Sequence, residues 1–299
     1  MTAKPLAVLP VMARPPARSA AGDWGLWDAP KRIFTPRVLY GLLLAFGLCV
    51  LAGEAYAQFG GQPRLGVLAT MQKWLPLILF GPPGEIGGFT LNILVSFLTM
   101  AIGTVTGVVL GVMQVSQGLI VRRIAWAVTQ FFRNSPWLVL LFFAILLLPY
   151  RIQLPGGFVV PFPDWIKAVV GLALPIMGNI SEVTRGAINS IPTGQWESSE
   201  SLAFSRAQTF RLIILPQCLK RMLPPWMNWY AILTMATTLI SIVGVSDSMT
   251  LTQQALAAEG GRGELLIPMY LLLLLLFFIY CYPIARWTQV LERRFAIIT

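Results

Sequence analysis

Two short polar segments carry the side chains most able to do chemistry, and both lie in an otherwise apolar chain. The first is Glu182-Val183-Thr184-Arg185-Gly186, in which the carboxylate and the guanidinium are three residues apart. On a helix this spacing places both groups on one face, where they pair with each other or line a solute path. The second is Gly194-Gln195-Trp196-Glu197, followed by Leu215-Pro216. It belongs to a long polar and basic insertion, 179–216, which must face water and which we interpret as a docking surface for a partner.

Missing residue types exclude other kinds of site. The chain has no histidine, so histidine acid/base catalysis and histidine metal sites are excluded. It has no Gly-Lys pair, so it has no P-loop for a nucleotide. Cys49, Cys218 and Cys281 lie in or beside apolar segments without paired spacing. We therefore predict no catalytic residue, no metal site and no cofactor bound by this chain, which is not an enzyme by itself.

The composition places the chain in the membrane. Hydrophobic residues make up 56% and charged residues 11%, and the mean hydropathy is +0.72, which does not fit a soluble globule. The net charge of +10 is located in the gaps between apolar runs, so we interpret it as a topology signal and predict no nucleic-acid partner. The prediction is an all-α polytopic protein in contact with membrane lipid.

Six apolar runs have the length that a helix needs to cross hydrocarbon. They are 38–57, 89–113, 130–149, 165–183, 224–245 and 265–285. The run Val67 to Gly81 is shorter and contains Gln72, Lys73 and Pro76. We interpret it as an interfacial or partly re-entrant helix, and a spanning helix is the alternative.

The distribution of basic residues supports six spans and cytoplasmic termini. With that topology the segments 1–37, 114–133, 184–223 and 286–299 hold 17 of the 22 Lys and Arg residues, and the opposite side holds 5. A spanning helix at Val67 to Gly81 would invert every later segment. The predicted location of the insertion is therefore the cytoplasmic side of the membrane.

Local signals divide the insertion into two short helices. Ile191-Pro192-Thr193-Gly194 breaks the chain, and a helix then extends from Gln195 to about Leu202. Ser205 with Gln208 forms a capping box for a second helix through Leu215, and Pro216 bends the chain before the next span. The result is a helical hairpin, and we expect its apolar side chains to fill a groove in a partner: Trp196, Leu202, Phe204 and Phe210.

Gly103, Gly107 and Gly111 recur at every fourth position of the second span. They place bare backbone on one helix face, which lets a neighbouring helix approach closely. We predict a packing ridge within the bundle, with contact to another subunit as the alternative.

In this order and spacing, the motifs resemble those of the permease subunits of type I ATP-binding-cassette (ABC) importers, and among them the histidine, glutamine and polar amino-acid permeases. The resemblance covers about residues 89–290. It rests on four further matches in addition to Glu182 to Gly186: Gly194-Gln195-Trp196-Glu197, Ile213-Ile214-Leu215-Pro216, Arg133-Asn134-Ser135-Pro136-Trp137 and Leu223-Pro224-Pro225-Trp226-Met227-Asn228.

The chain departs from the family pattern at two places. The Ala-Ala of the cytoplasmic loop is Ser198-Ser199, and its turn glycine is Ala203. If that turn needs a left-handed backbone, alanine costs on the order of 1 kcal/mol relative to glycine. Where the family has Lys-Asp-Thr-Ser-Leu, this chain has Met235-Ala236-Thr237-Thr238-Leu239. It therefore lacks the intramembrane charge pair, and a less charged solute is an alternative.

The resemblance implies a location in a bacterial inner membrane and a division into four parts. These are a cytoplasmic tail 1–37, an additional helix with a periplasmic or interfacial segment 38–88, the importer transmembrane domain 89–290 and a cytoplasmic tail 291–299. It also implies three kinds of partner: ABC ATPase subunits that bind ATP and Mg, a second permease subunit that is a sister chain or a second copy, and a periplasmic solute-binding protein. Transport by alternating access would then follow ATP hydrolysis in those subunits.

The resemblance assigns roles to two sets of residues. Glu197 is a candidate docking residue, and a solvated capping acid is the alternative. The predicted ATPase-coupling loop, which includes the coupling helix, comprises Gly194, Gln195, Glu197, Ser198, Ser199, Ala203, Phe204, Leu215 and Pro216. The candidate solute path comprises Asn134, Asn179, Ser181, Glu182, Asn228, Thr237 and Thr238.

The predicted function is a permease subunit for polar amino acids or related small solutes. The alternative is a channel or secondary carrier that works without an ATPase. Ionisable residues in the middle of spans, which coupled carriers commonly use, are few here.

Overall fold

The computed structural model describes residues 36–59, 66–153 and 159–295, and helices dominate this part of the chain. The boundary between two compact units falls inside the first helix, after Leu48, and the packing that positions the candidate site lies within the second unit. The helices are α1 (Pro36–Phe59), α2 (Val67–Phe80), α3 (Gly88–Gln114), α4 (Leu119–Asn134), α5 (Trp137–Leu147), α6 (Asp164–Asn189), α7 (Thr193–Ser201), α8 (Arg206–Thr209), α9 (Leu215–Ala236), α10 (Ser248–Ala258) and α11 (Gly263–Phe295).

Two irregular helical segments extend these elements. A π-helical turn, Phe210–Ile214, joins α8 to α9, and a 3-10 segment, Thr237–Val243, follows α9. The predicted helical membrane fold is therefore confirmed.

Four helical segments have the length and apolar composition to cross a bilayer: Gly88–Gln114, Asp164–Asn189, Arg206–Val243 and Gly263–Glu292. They correspond to four of the six predicted spans. The predicted first span lies within α1, whose apolar stretch Leu43–Ala55 is shorter. Within the described residues the number of spans is four, or five if the bent pair α4 and α5 counts as one.

The predicted third span, 130–149, is divided into two helices in the structure. Helix α4 ends at Asn134, α5 begins at Trp137, and the two axes meet at 102°. Ser135 and Pro136 between them are extended, with ψ of 141° and 128°. Proline has no N–H to donate and disfavours helical backbone at the residue before it, so the chain turns here. Helix α4 is amphipathic, whereas the eleven residues of α5 are uniformly apolar.

Helices α3 and α6 form the most closely packed pair. A Cβ built on Gly103 would lie 2.5 Å from Ile176 Cγ2, and one on Gly107 would lie 2.8 Å from Ile180 Cβ. A Cβ on Gly111 would lie 2.5 Å from Thr184 Cβ. Each glycine therefore holds open the space that a residue of α6 fills, and the predicted packing ridge lies inside the bundle.

The main hydrophobic core surrounds this helix pair. It also includes residues of α5, α9 and the 3-10 segment, so α6 is enclosed by its neighbours. Its fully buried members include Leu91, Val95, Leu141, Leu172, Ile176, Ile180, Leu233 and Ile240.

Helix α2 is connected to other parts of the second unit through side chains. Glu54 Oε1 accepts a hydrogen bond from Leu68 N at 2.5 Å, which places a carboxylate at the N-terminus of α2. Lys73 Nζ and Trp74 Nε1 both donate to Glu259 Oε1, at 2.8 and 2.9 Å. The hydrogen bond from Lys73, followed by that from Trp74, lowers the pKa of Glu259. With 14 residues, α2 is shorter than the roughly 20 that a transmembrane helix needs.

A short β-hairpin departs from the predicted all-α pattern. Strands β1 (Arg151–Gln153) and β2 (Val159–Pro161) pair antiparallel, with Arg151 opposite Pro161. Lys167, near the start of α6, is fully buried beside this hairpin. Its Nζ lies 3.0 Å from Asp164 Oδ1 and 3.2 Å from the centre of the Tyr150 ring, and these two contacts stabilise its charge.

Candidate functional site

A helical hairpin follows α6, as the sequence predicts. Helix α7 begins after the extended Pro192, and α8 begins after Ser205. Ser205 Oγ accepts from Gln208 N at 3.4 Å, and Gln208 Oε1 accepts from Ser205 N at 2.8 Å. The predicted capping box is confirmed, and it fixes the direction in which the chain returns to the bundle.

The turn of the hairpin requires a left-handed residue at Ala203. Its φ is +58°, and among the described residues it alone has a positive φ without being glycine. Phe204 N donates to Ser199 O at 3.1 Å, and Ala203 N donates to Glu200 O at 2.9 Å. These two bonds form a Schellman motif, in which glycine is the usual residue at the left-handed position. The side chain of Ala203 costs about 1–2 kcal/mol there.

The inner face of the hairpin packs on the bundle. A second hydrophobic cluster joins α6 to the return arm of the hairpin, and Trp196 and Phe210 pack against it. Both aromatic side chains are half-buried by this contact within the chain, and their role in filling a groove of a partner stays a prediction. The buried members of this second cluster are Ala187, Ile188, Ile191, Ile214, Cys218 and Met222.

The return arm is continuous with the next span. The prediction that Pro216 bends the chain before a separate span is wrong, because the helical segment extends without interruption over Arg206–Val243. Leu215 N donates to Phe210 O, five residues back, which marks the π turn. Proline at the start of α9 is tolerated because the wider turn does not require its missing N–H.

Polar contacts link the start of α9 to the end of α6 and to α7. Arg221 Nη1 donates to Ser190 O at 2.5 Å and to Ser190 Oγ at 2.7 Å. Gln217 Nε2 donates to Gln195 Oε1 at 3.4 Å. Together with the cluster beneath Trp196, these contacts fix the hairpin to the end of α6.

The outer face of the hairpin is exposed. Of the predicted coupling residues, Gly194, Gln195, Glu197 and Ser198 are exposed, whereas Ser199 is buried. The Ser199 hydroxyl donates to Gln195 O at 2.7 Å, so it has a structural role. Two large apolar side chains also remain in solvent: Leu202 is 69% exposed and Phe204 is 37% exposed.

Glu182 belongs to an ionic cluster between α4 and α6. Its Oε2 lies 2.7 Å from Arg185 Nη2 and 3.8 Å from Arg133 Nη1, and its Oε1 accepts from Gln130 Nε2 at 3.4 Å. The predicted pairing of Glu182 with Arg185 is confirmed. Asn134 Nδ2 also donates to Gln130 O, at 2.7 Å, so Gln130 links two of the candidate solute-path residues.

Two other candidates on α6 make internal contacts. Ser181 Oγ accepts from Gln114 Nε2 at 2.8 Å and lies 3.0 Å from Thr129 Oγ1, so three buried polar groups join α3, α4 and α6. Asn179 is buried, and its Nδ2 donates to Pro175 O at 2.8 Å. The local contacts of both residues are consistent with helix packing.

The candidates in the α9 region lie apart from that cluster. Asn228 is exposed on α9, and the hydroxyl of the half-buried Thr238 donates to Met235 O. Thr237 is buried and accepts from Asn92 Nδ2 at 3.1 Å. The structure thus places the candidates in separate polar groups along the helices.

Asn92 and Asp247 form a buried pair that sequence reasoning missed. Asn92 Nδ2 donates to Asp247 Oδ2 at 3.2 Å, and Asn92 Oδ1 accepts from Ser248 Oγ at 2.9 Å. Asp247 Oδ1 caps α10 through Thr250 N at 2.9 Å. Burial raises the pKa of Asp247, and these hydrogen bonds oppose the rise. The segment Asp247-Ser248-Met249-Thr250 is itself a helix-start signal that could have been found.

The part of the chain that the structure describes holds no cluster of three or more side chains suited to a metal ion. The candidate functional site consists of the exposed hairpin and the polar groups along α4, α6 and α9.

Comparison with a family model gives a match over residues 103–297. The model is described as "Binding-protein-dependent transport system inner membrane component". The matched region includes the glycines of α3, the ionic cluster and the hairpin.

Curated relatives match most of the chain. The inner membrane amino-acid ABC transporter permease protein YhdY of Escherichia coli K12 is 32% identical over 70% of this chain and 56% of its own length. The glutamate/glutamine/aspartate/asparagine transport system permease protein BztC of Rhodobacter capsulatus is 29% identical over 92% of this chain and 65% of its own length. The probable amino-acid ABC transporter permease protein YckA of Bacillus subtilis is 33% identical over 72% of this chain and 90% of its own length. The chain thus spans less than two thirds of the first two relatives.

Solved structures support the fold. A crystal structure of an amino acid ABC transporter with histidines covers 77% of this chain and 99% of its own, with a TM-score of 0.62 and 21% identity. An inward-facing methionine ABC transporter, MetNI, covers 70% of this chain with a TM-score of 0.51 and 20% identity.

Proposed function

The chain belongs to the family of binding-protein-dependent transport system inner membrane components, and we propose that it is the permease subunit of an ATP-driven importer for amino acids. The observation that carries the proposal is the hairpin α7–α8, which is fixed to the bundle on one face and exposed on the other. A loop that served only to connect two spans would not need the capping box, the strained turn and the buried cluster that hold it.

The exposed face has the chemistry of a docking surface for a separate ATPase subunit. Glu197 and Ser198 offer polar contacts, and Leu202 and Phe204 offer apolar ones. Apolar side chains of this size are favoured at the centre of protein interfaces, with polar groups at the rim. We place Glu197 at that interface, where it meets a basic group of the ATPase.

Coupling follows from the path of the chain. The hairpin enters from α6 and leaves through the helical segment Arg206–Val243, so both arms connect directly to predicted spans. A displacement of the hairpin by ATPase closure would move both segments, and alternating access is the proposed result. A second permease subunit and a periplasmic solute-binding protein complete the proposed complex.

The proposed solute is a small amino acid with an uncharged side chain. The names of the relatives described above refer to the transport of amino acids, and Met235-Ala236 gives this chain no charge pair at the end of α9. The candidate solute-path groups Asn179, Asn228 and Thr237 are neutral donors and acceptors. Glu182, beside Arg133 and Arg185, contributes no free negative charge.

A crosslinking experiment tests the docking surface. In a variant without Cys49, Cys218 and Cys281, Phe204→Cys should crosslink to an ATPase subunit in solubilised complexes. Phe80→Cys is the matched control, because Phe80 is also an exposed phenylalanine, at 67%, and ends α2, on the side of the membrane predicted to be opposite the hairpin. Complexes that never contain an ATPase, or a crosslink that is equal at both positions, contradict the proposal and favour a channel or secondary carrier.

A charge reversal tests coupling. Glu197→Lys should leave the amount of protein in the membrane unchanged while lowering uptake and solute-stimulated ATP hydrolysis at least tenfold, since an unpaired like charge at an interface costs more than about 1.4 kcal/mol. Glu292→Lys makes the same charge change at an exposed site near the end of α11 and should retain both activities. Unchanged uptake in Glu197→Lys would remove Glu197 from the coupling role.

A further inference from the structure

A basic cavity lies at the end of α3 and α6 that also carries the hairpin. Its volume is about 340 Å³, and it is lined by Gln114, Arg122, Arg123, Trp126 and Arg185. Three guanidinium groups from two helices therefore surround one space. Only Arg185 among them has an acidic partner in the cluster, Glu182 at 2.7 Å.

One lining residue has an unused acceptor. Gln114 is 4% exposed, and its Nε2 donates to both Thr129 and Ser181. Within the described residues its Oε1 is buried without a hydrogen-bond partner. A buried polar atom without a partner is unfavourable, so rotation of the Gln114 amide toward the cavity would allow this oxygen to accept from a ligand hydroxyl.

Helix α4, which forms one wall of the cavity, carries an exposed apolar face on its other side. Helix α4 turns away from α5 by 102°, so it is not part of a straight span. Trp126 lies on the cavity side and is 56% exposed, whereas Ile120 and Ile124, one helical turn apart on the other face, are 74% and 56% exposed. An amphipathic helix with arginine and tryptophan beside large apolar side chains is typical of the membrane interface.

Cationic charge, a potential hydroxyl acceptor and a wall helix with an apolar face for the membrane together match one kind of molecule. We propose that the cavity of Gln114, Arg122, Arg123, Trp126 and Arg185 binds the phosphodiester of an acidic phospholipid whose headgroup bears a hydroxyl. Arg122 and Arg123 contact the phosphate oxygens, the Gln114 amide turns to accept from the headgroup hydroxyl, and the acyl chains extend past Trp126 into the membrane. Arginine clusters beside membrane helices recognise anionic headgroups through this charge-assisted hydrogen bonding.

The probe is phosphatidylglycerol added to the full chain, or to the complex in which it purifies, in a neutral detergent. Its affinity is read from the rise in Tm with lipid concentration, since a ligand that binds the folded state stabilises it. Phosphatidylcholine, which is zwitterionic, and inorganic phosphate at equal concentration are the comparison ligands. Phosphatidylglycerol alone should raise Tm by several degrees.

Two variants separate this site from general surface charge. Arg122→Gln with Arg123→Gln removes two exposed charges and should weaken phosphatidylglycerol binding about 30-fold, because each basic residue near an anionic surface contributes about a fivefold factor. Arg211→Gln with Lys220→Gln removes two exposed charges outside the cavity and should leave binding within twofold.

Three results would overturn the proposal. An equal shift with inorganic phosphate would show a site for a free anion. An equal loss in both double variants would show attraction by surface charge alone, and an equal shift with phosphatidylcholine would show unspecific solvation by lipid. None of these measurements depends on transport, so the proposed function can fail while the lipid site stands.

Discussion

The contact between α3 and α6 gives the most quantitative prediction. Gly107→Ala adds one carbon where the space is already filled, 2.8 Å from Ile180 Cβ and 2.8 Å from Met177 O. Carbon atoms at optimal contact are 3.5–4.0 Å apart, so the helices must separate by roughly 1 Å or Ile180 must change its rotamer. Overpacking of this kind costs about 1–3 kcal/mol.

Gly107→Ala also has a favourable effect on the free energy of unfolding, which must be subtracted to obtain the packing cost. Alanine in a helix interior is about 1 kcal/mol better than glycine, which offsets part of the packing cost. Gly186→Ala measures this term alone, because Gly186 lies in α6 and a Cβ there has nothing within 4 Å outside the local helix backbone. The difference in the free energy of unfolding between the two variants is therefore the contact term, about 1–3 kcal/mol.

Thermal unfolding in detergent, followed by intrinsic fluorescence, provides the measurement. For a protein of this size about 1 kcal/mol corresponds to roughly 2–4 °C in Tm, so Gly107→Ala should unfold about 3–10 °C below Gly186→Ala. Both variants should be compared at one heating rate, because unfolding of membrane proteins is commonly irreversible. A Tm for Gly107→Ala equal to or above that of Gly186→Ala would refute the close approach of α3 and α6.

Two further predictions concern strain and charge. Ala203→Gly should remove about 1–2 kcal/mol of left-handed strain from the folded hairpin. Glycine also raises the entropy of the unfolded chain, which offsets about 0.4–1 kcal/mol of that gain. The net stabilisation should raise the amide protection of residues 205–209 in hydrogen exchange about two- to fivefold. Unchanged protection would mean that the turn is not strained. Because burial raises the pKa of Asp247, the stabilisation from its protonated form is complete below the unfolded pKa of about 3.9 and is lost as the pH rises through the folded pKa. Asp247→Asn keeps an acceptor for the α10 cap and should flatten the dependence of Tm on pH across this window, and an unchanged slope would contradict the assignment.

Local rules predicted much of the hairpin. The capping box at Ser205 and the break at Pro192 depend on residues within one helical turn, and both are found. The pairing of Glu182 with Arg185 and the glycine face of α3 follow from helical periodicity, which the sequence displays directly. The departure at Ala203 also pointed to a strained turn.

Other features depend on contacts that no local rule contains. The Asn92–Asp247 hydrogen bond joins residues 155 positions apart. The partial burial of Trp196 and Phe210 depends on where α6 and α9 pass, so a sequence pattern cannot separate an aromatic residue that packs within the chain from a docking one. At Pro136 hydropathy predicted one span over 130–149, and its length and composition did not reveal that the chain turns there by 102°. At Pro216 the opposite happened, because a π turn kept the helix continuous.

The uninterrupted segment Arg206–Val243 has a mechanical consequence. At 1.5 Å per residue its 38 residues measure about 57 Å, which is nearly twice the roughly 30 Å hydrocarbon thickness of a bilayer. Because the segment is uninterrupted, the return arm of the hairpin and the 3-10 segment beside Thr237 belong to one helical element. Had the helix ended at Pro216, a flexible link would have separated them. The π turn therefore keeps the exposed hairpin and the buried Asn92–Thr237 contact on the same continuous helix, without an intervening loop.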